Sequence, residues 1–153
     1  MRLLNEFNVL KNESNLKLTE KNGKTYIFDP IRKRSLLLQP EEMVRQSLIH
    51  FIILNNIYPK NLIQVEKTID AFGKRRRFDL LVYKNALTPF LVVECKSPQI
   101  PIQQKHGDQV FAYREILQSS YVLITNGITH ICGKISPDKS DVQFIDYFPE
   151  LDG

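Results

Sequence analysis

The chain has 153 residues, 42% of them hydrophobic and 25% charged, a balance that supports one folded core and excludes a largely disordered protein. Its formal net charge of +4 permits a nucleic-acid partner through phosphate neutralisation but does not require one. Two cysteines, Cys95 and Cys132, lie far apart and without histidines at zinc spacing; they exclude a disulfide framework or a zinc knuckle and suit a reducing compartment.

Residues 1–39 read as an N-terminal arm, 40–133 as the core, and 134–153 as an extension packed on the same domain. The start, Met1-Arg2-Leu3-Leu4-Asn5-Glu6, lacks the apolar stretch of a secretory signal, so a cytoplasmic location is expected. Within the arm, residues 24–28 and 35–38 are expected to pair as a hairpin around a polar turn containing Pro30. Pro40-Glu41-Glu42 opens a helix, since proline fits the first turn and acidic side chains there favour the helix dipole. Val44, Leu48, Phe51, Ile52 and Asn55 fall on one face of it, and Asn55-Asn56 with Pro59 ends it. The most apolar run, residues 48–57, is broken by His50 and two asparagines and falls short of the roughly 20 residues that cross a bilayer. No membrane association is expected.

Residues 62–70 alternate, with Ile63, Val65 and Ile69 facing one way and Gln64, Glu66 and Thr68 the other, as in a half-buried strand. Gly73 turns the chain, the basic run Lys74-Arg75-Arg76-Arg77 follows, and strands are expected over 78–83 and 90–96. Helical spacing through Val110, Tyr113, Arg114 and Leu117 predicts a second helix over 102–118. Strands over 121–125 and 128–133 flank Asn126-Gly127, a dipeptide suited to a tight two-residue turn with both residues at positive φ. The last twenty residues carry no clear pattern. The order helix, three strands, helix, strand indicates an α/β fold with a mixed sheet flanked by helices.

Glu94 and Lys96 are two apart in an apolar strand, so they share a face while Val93 and Cys95 point to the other. Charges in such a strand are costly unless paired or coordinated. A hairpin between the two strands brings Asp79 beside Glu94, and two close carboxylates are held together most naturally by a divalent cation. Hard oxygen ligands with room for water suit Mg²⁺, or Mn²⁺, better than zinc. In phosphodiester hydrolysis such a metal polarises the phosphoryl oxygen and acidifies bound water, and a nearby lysine orients that water or steadies developing charge.

Asp79 followed by Glu94-Cys95-Lys96, on the second and third strands of this element order, resembles the signature of the PD-(D/E)XK nucleases, with Phe78 where that motif has proline. Gln109 and Tyr113, four apart on the second helix, resemble the Gln-X-X-X-Tyr element of the N-terminal nuclease domain of type I restriction enzyme R subunits. Pro40-Glu41-Glu42, Val44-Arg45-Gln46, Val65-Glu66 and residues 121–127 extend the similarity over roughly residues 24–133. The resemblance implies a restriction-endonuclease-like core in which Asp79 and Glu94 bind metal and Lys96 is catalytic. Gln109 and Tyr113 would support the site or contact DNA. Glu42 and Glu66 are weaker candidates for further metal carboxylates. R subunits continue into a motor, yet no Gly-X-X-X-X-Gly-Lys-Ser/Thr loop occurs here. A separate motor, or methyltransferase and specificity subunits, are the partners implied.

Plainer readings stand beside these. Asp79, Glu94 and Lys96 also suit a cross-strand ion pair at a sheet end, and Gln109 with Tyr113 a polar helix edge. Lys74, Arg75, Arg76 and Arg77 suit either DNA phosphates or a solvated loop, about equally. His50, His106 and His130 fall on separate elements and read as satisfied histidines rather than ligands. The rival function is an inactive nucleic-acid-binding or assembly module of a restriction or defence system.

Overall fold

In the computed structural model, residues 2–71 and 73–151 are described. The arm begins with 3-10 turns at Leu4–Glu6 and Val9–Asn15, followed by β1 (Leu18–Lys21), β2 (Lys24–Asp29) and β3 (Arg34–Leu37). The expected β2–β3 hairpin forms, but β1 makes it a three-stranded antiparallel meander. Asn22 and Gly23 join β1 to β2 at φ of 54° and 75°, the left-handed pair that an Asn-Gly turn supplies. β1 is exposed throughout, so no apolar alternation betrays it.

α1 spans Pro40–Leu54 and buries Val44, Leu48, Ile49, Phe51 and Ile52. Asn55 does not join that face. It is exposed, and its Nδ2 donates to the Phe51 carbonyl at 2.9 Å, closing the helix before Asn56 turns left-handed. Short side-chain amides that bond their own backbone favour helix ends over helix faces.

A six-stranded sheet follows in the order β4-β5-β6-β7-β8-β9, with β4 Ile63–Ala71, β5 Lys74–Tyr83, β6 Pro89–Cys95, β7 Tyr121–Thr125, β8 His130–Ile135 and β9 Val142–Ile145. All neighbours are antiparallel except β6 and β7. That parallel pair requires a crossover, and α2 (Gln104–Tyr113) lies in it. The chain is therefore a mixed α/β fold. α1 packs with Leu80, Val82, Leu91, Val93 and Cys95 on one face of the sheet. Val110 and Tyr113 of α2 pack with Phe78, Leu81, Val92, Val122 and Ile124 on the other. Among the described residues no helix is long and apolar enough to cross a membrane.

Four expectations need correction. The basic run 74–77 is not a loop before the strand but the first four residues of β5. α2 stops at Tyr113 rather than 118, because the next N–H groups reach back only three residues and tighten into a turn. β7 and β8 are joined by four residues, 126–129, and not by a two-residue turn. Asn126 uses its Oδ1 to accept the Ile128 and Thr129 N–H groups and its Nδ2 to donate to Ile100, so only Gly127 lies at positive φ. Finally, β4 does not alternate evenly: Ile63 and Val65 pack with the α1 cluster but Ile69 with the α2 cluster. Glu66 between them has φ of 56°, a conformation costly for a residue with a Cβ, and it switches the strand's faces.

The C-terminal stretch contributes β9, the fully buried Phe148 and a carbonyl at Pro149 that accepts the Tyr58 hydroxyl. On β8, a Cβ built at Gly133 would lie 2.6 Å from methyl carbons of both Val110 and Val142, closer than packed carbons tolerate. Gly133→Ala should cost about 1–3 kcal/mol in urea unfolding; an unchanged midpoint would mean that α2 and β9 do not press on this strand.

Candidate active site

The site lies where β5 and β6 part. Their pairing runs from Tyr83↔Pro89 to Leu80↔Val93 and then stops, whereas β6 stays paired with β7 to Cys95↔Thr125. The Cys95 N–H is accepted not by the main chain of β5 but by Oδ2 of Asp79, at 2.8 Å. A side chain thus stands in for a ladder partner and wedges the fork open. Oδ1 of Asp79 accepts Arg45 Nη2 at 2.9 Å and Nε at 3.2 Å.

Glu94 reaches the fork from the α2 face, the side of Val92. Its Oε2 accepts Gln109 Nε2 at 2.8 Å and the Tyr113 hydroxyl at 3.2 Å, and Gln109 also donates to Tyr113. The four-residue spacing on α2 makes this bracket possible. Oε1 of Glu94 has Lys96 Nζ at 3.7 Å. Asp79, Glu94, Lys96, Gln109 and Tyr113 are therefore gathered in one place. Burial pushes the Asp79 carboxyl above its usual range; the Cys95 N–H and Arg45 oppose this, and nearby Glu94 adds to it. Burial, then Glu94, likewise raises Tyr113.

Glu42 and Glu66 are held by two arginines, one of which also holds Asp79. Glu42 Oε1 accepts Arg32 Nη2 at 3.3 Å and Arg45 Nη1 at 3.4 Å, and its Oε2 accepts Gln46. The strained Glu66 is turned toward the same arginines, with Oε1 3.2 Å from Arg45 Nη1 and Oε2 2.9 Å from Arg32 Nη1. Arg32 is anchored by Asp29 at 2.6 Å, which ties the N-terminal meander to the site. Burial raises Glu66, but Arg45 and Arg32 outweigh it and hold the carboxyl low. Neither arginine stood out in the sequence, although Glu42 and Arg45 at i,i+3 on a helix face were a readable signal.

Among the described residues no three His, Cys, Asp or Glu side chains are arranged to hold a metal ion. Asp79 and Glu94 alone offer two hard carboxylates close enough to repel. That set fits an ion such as Mg²⁺, which is often held by one or two carboxylates, with waters and substrate phosphate completing its shell.

Beyond the fork, residues 67–71 of β4 and 74–78 of β5 pair with each other, forming a two-stranded ribbon. It carries Lys67, Lys74, Arg75, Arg76 and Arg77 against Asp70, which accounts for the whole net charge of +4. Arg76 Nη2 donates to the Tyr113 hydroxyl at 2.6 Å, and its guanidinium lies 5.0 Å from that ring's centre. Arg75 is exposed and paired at 3.7 Å with Asp70. The histidines have structural partners: His50 on the Gln46 carbonyl, His106 in the capping box of α2, and His130 against Phe7. Cys95 and Cys132 are free and buried, and burial pushes both thiols well up.

The fold and site together define a mixed α/β domain with a cluster of charged side chains at the split of its central strands. The family model for the type I restriction enzyme R protein N terminus matches residues 40–149, and the chain belongs to that family. Its backbone is similar to a fragment assigned to an HsdR subunit of a type I restriction enzyme from Vibrio vulnificus YJ016, with 22% identity and a TM-score of 0.51. The match covers 74% of this chain and 24% of that one, so the chain spans about a quarter of its length. No curated protein matches.

The raised Asp79 carboxyl sets the sign of a pH effect. A folded-state pKa above the unfolded value contributes stability below the unfolded value, and this is lost as pH rises through the folded value. In metal-free buffer the Asp79→Asn variant should therefore gain stability relative to the parent as pH rises from the ordinary aspartate range toward neutrality. Urea midpoints at several pH values measure it; a gap that stays flat or moves the other way contradicts the assignment.

Proposed function

We propose that this domain is a divalent-metal-dependent DNA endonuclease of the PD-(D/E)XK kind, with Asp79 and Glu94 holding Mg²⁺ or Mn²⁺ and Lys96 as the catalytic lysine. The observation that carries the reading is the gathering of these three side chains at the fork of β5 and β6. The metal would supply Lewis-acid activation of a phosphoryl oxygen and a more acidic water. Lys96, with no closer anion than Glu94 among the described residues, orients the attacking water or steadies charge on the phosphate. Gln109 and Tyr113 hold Glu94 in one orientation, and Arg45 does the same for Asp79.

The basic ribbon supports DNA as substrate, because phosphate contacts position a protein without reading sequence. Arg75 and Arg77 alternate with Lys74 and Arg76 on its two faces. Family membership supports a restriction setting with a separate motor, or methyltransferase and specificity subunits, as partners.

Purified protein should nick plasmid DNA with added Mg²⁺ or Mn²⁺. Lys96→Ala should lower the rate at least ~10²-fold with circular dichroism and melting unchanged; equal cutting by both proteins points to contamination. Combined Arg75→Ala and Arg77→Ala substitution should flatten the slope of log affinity against log salt by about 1.8. DNA binding that persists without any Mn²⁺ heat in calorimetry would instead favour the inactive binding or assembly module.

A further inference from the structure

We propose that Arg45 is a built-in cation that takes the place a second divalent ion would fill, so that this domain holds one metal ion and not two. The inference rests on the reading of Asp79 and Glu94 as metal ligands and deepens it. Two-metal phosphodiesterases clamp the attacking and leaving oxygens with a pair of ions, and here an arginine gathers carboxylates beside the proposed ion. Asp79, Glu42 and Glu66 converge on the α1 side of the fork. At their common point stands the Arg45 guanidinium, with contacts of 2.9 Å to Asp79, 3.4 Å to Glu42 and 3.2 Å to Glu66. The Arg45 side chain is only 10% exposed.

Ligand capacity points the same way. Both oxygens of Glu42 are engaged by Arg32, Arg45 and Gln46, and both oxygens of Glu66 by the two arginines. A metal entering there would have to expel a guanidinium held by three carboxylates and leave it buried without partners, a costly outcome. On the other side, among the described residues Glu94 Oε1 has only Lys96, at 3.7 Å. Coordination is therefore most open at Oε1 of Glu94.

Charge balance agrees. Asp29, Glu42, Glu66, Asp79 and Glu94 face Arg32, Arg45 and Lys96. Among these direct ion pairs, five carboxylates against three cations leave a formal excess of two negative charges. One divalent ion neutralises that excess, whereas a second would leave the cluster as positive as it is now negative.

Titration calorimetry of the full chain with Mn²⁺ tests this. The parent should bind one ion. Arg45→Gln takes the guanidinium away from three carboxylates and should bind two, with a larger Mn²⁺-dependent rise in melting temperature, while Arg45→Lys keeps one. Should Arg45→Gln fail to fold, the double variant Glu42→Gln with Glu66→Gln serves instead: Mn²⁺ affinity should stay within about threefold of the parent. Two ions on the parent, a folded Arg45→Gln that still binds one, or a tenfold loss in the double variant would overturn the inference while leaving the proposed nuclease site standing. No Mn²⁺ binding by the parent would remove both.

Discussion

The arrangement of the domain depends on one hydrogen bond, from the Cys95 N–H to the carboxylate of Asp79. In a continuous antiparallel ladder that N–H would be matched by main chain of the neighbouring strand. Because a side chain takes it, the β5–β6 pairing ends at Leu80↔Val93 while β6 remains paired with β7 to Cys95↔Thr125. The same carboxylate reaches α1 through Arg45 on its other oxygen. Asp79 therefore joins the two faces: the arginine cluster on the α1 side, and Glu94 with Gln109 and Tyr113 on the α2 side.

Such a joint is expensive. Buried ion pairs gain little over well-packed apolar side chains, and each partner is strongly destabilising when left alone. Asp79 carries its charge against burial, and Glu66 sits at a backbone conformation that costs on the order of 1–3 kcal/mol. Both residues occupy the matching position of β4 and β5 where the pairing skips from Val65↔Leu80 to Lys67↔Phe78. Strain and desolvated charge thus fall at the same step of two strands. The surrounding apolar clusters, with Leu80, Val82, Leu91, Val92 and Val93 almost fully buried, supply the stability that offsets it.

Much of this was legible beforehand. The first helix, the three following strands, the second helix and the strand after it all follow from periodicity and punctuation, and the Glu94-Cys95-Lys96 spacing put one carboxylate and one amine on a shared face. Less legible were features that depend on partners distant in the chain. β1 has no buried face to pattern its residues. Asn126-Gly127 has the composition of a two-residue turn, but Asn126 finds Ile100 and bonds its own loop instead. Nothing in the alternation of residues 62–70 announces the reversal at Glu66.

What the sequence alone determined is which residues share a strand or helix face, because side-chain direction follows from backbone period over a few residues. It placed Glu94 with Lys96, and Gln109 with Tyr113, without any knowledge of the fold. Tertiary structure alone decided what meets those faces: Arg45 from α1 at Asp79, Arg32 from the meander at Glu42 and Glu66, Arg76 from the ribbon at Tyr113. These pairings join residues of different elements, most of them more than thirty positions apart. They form only when burial makes an unpaired charge too costly to leave, a condition set by the packed core and not by local sequence.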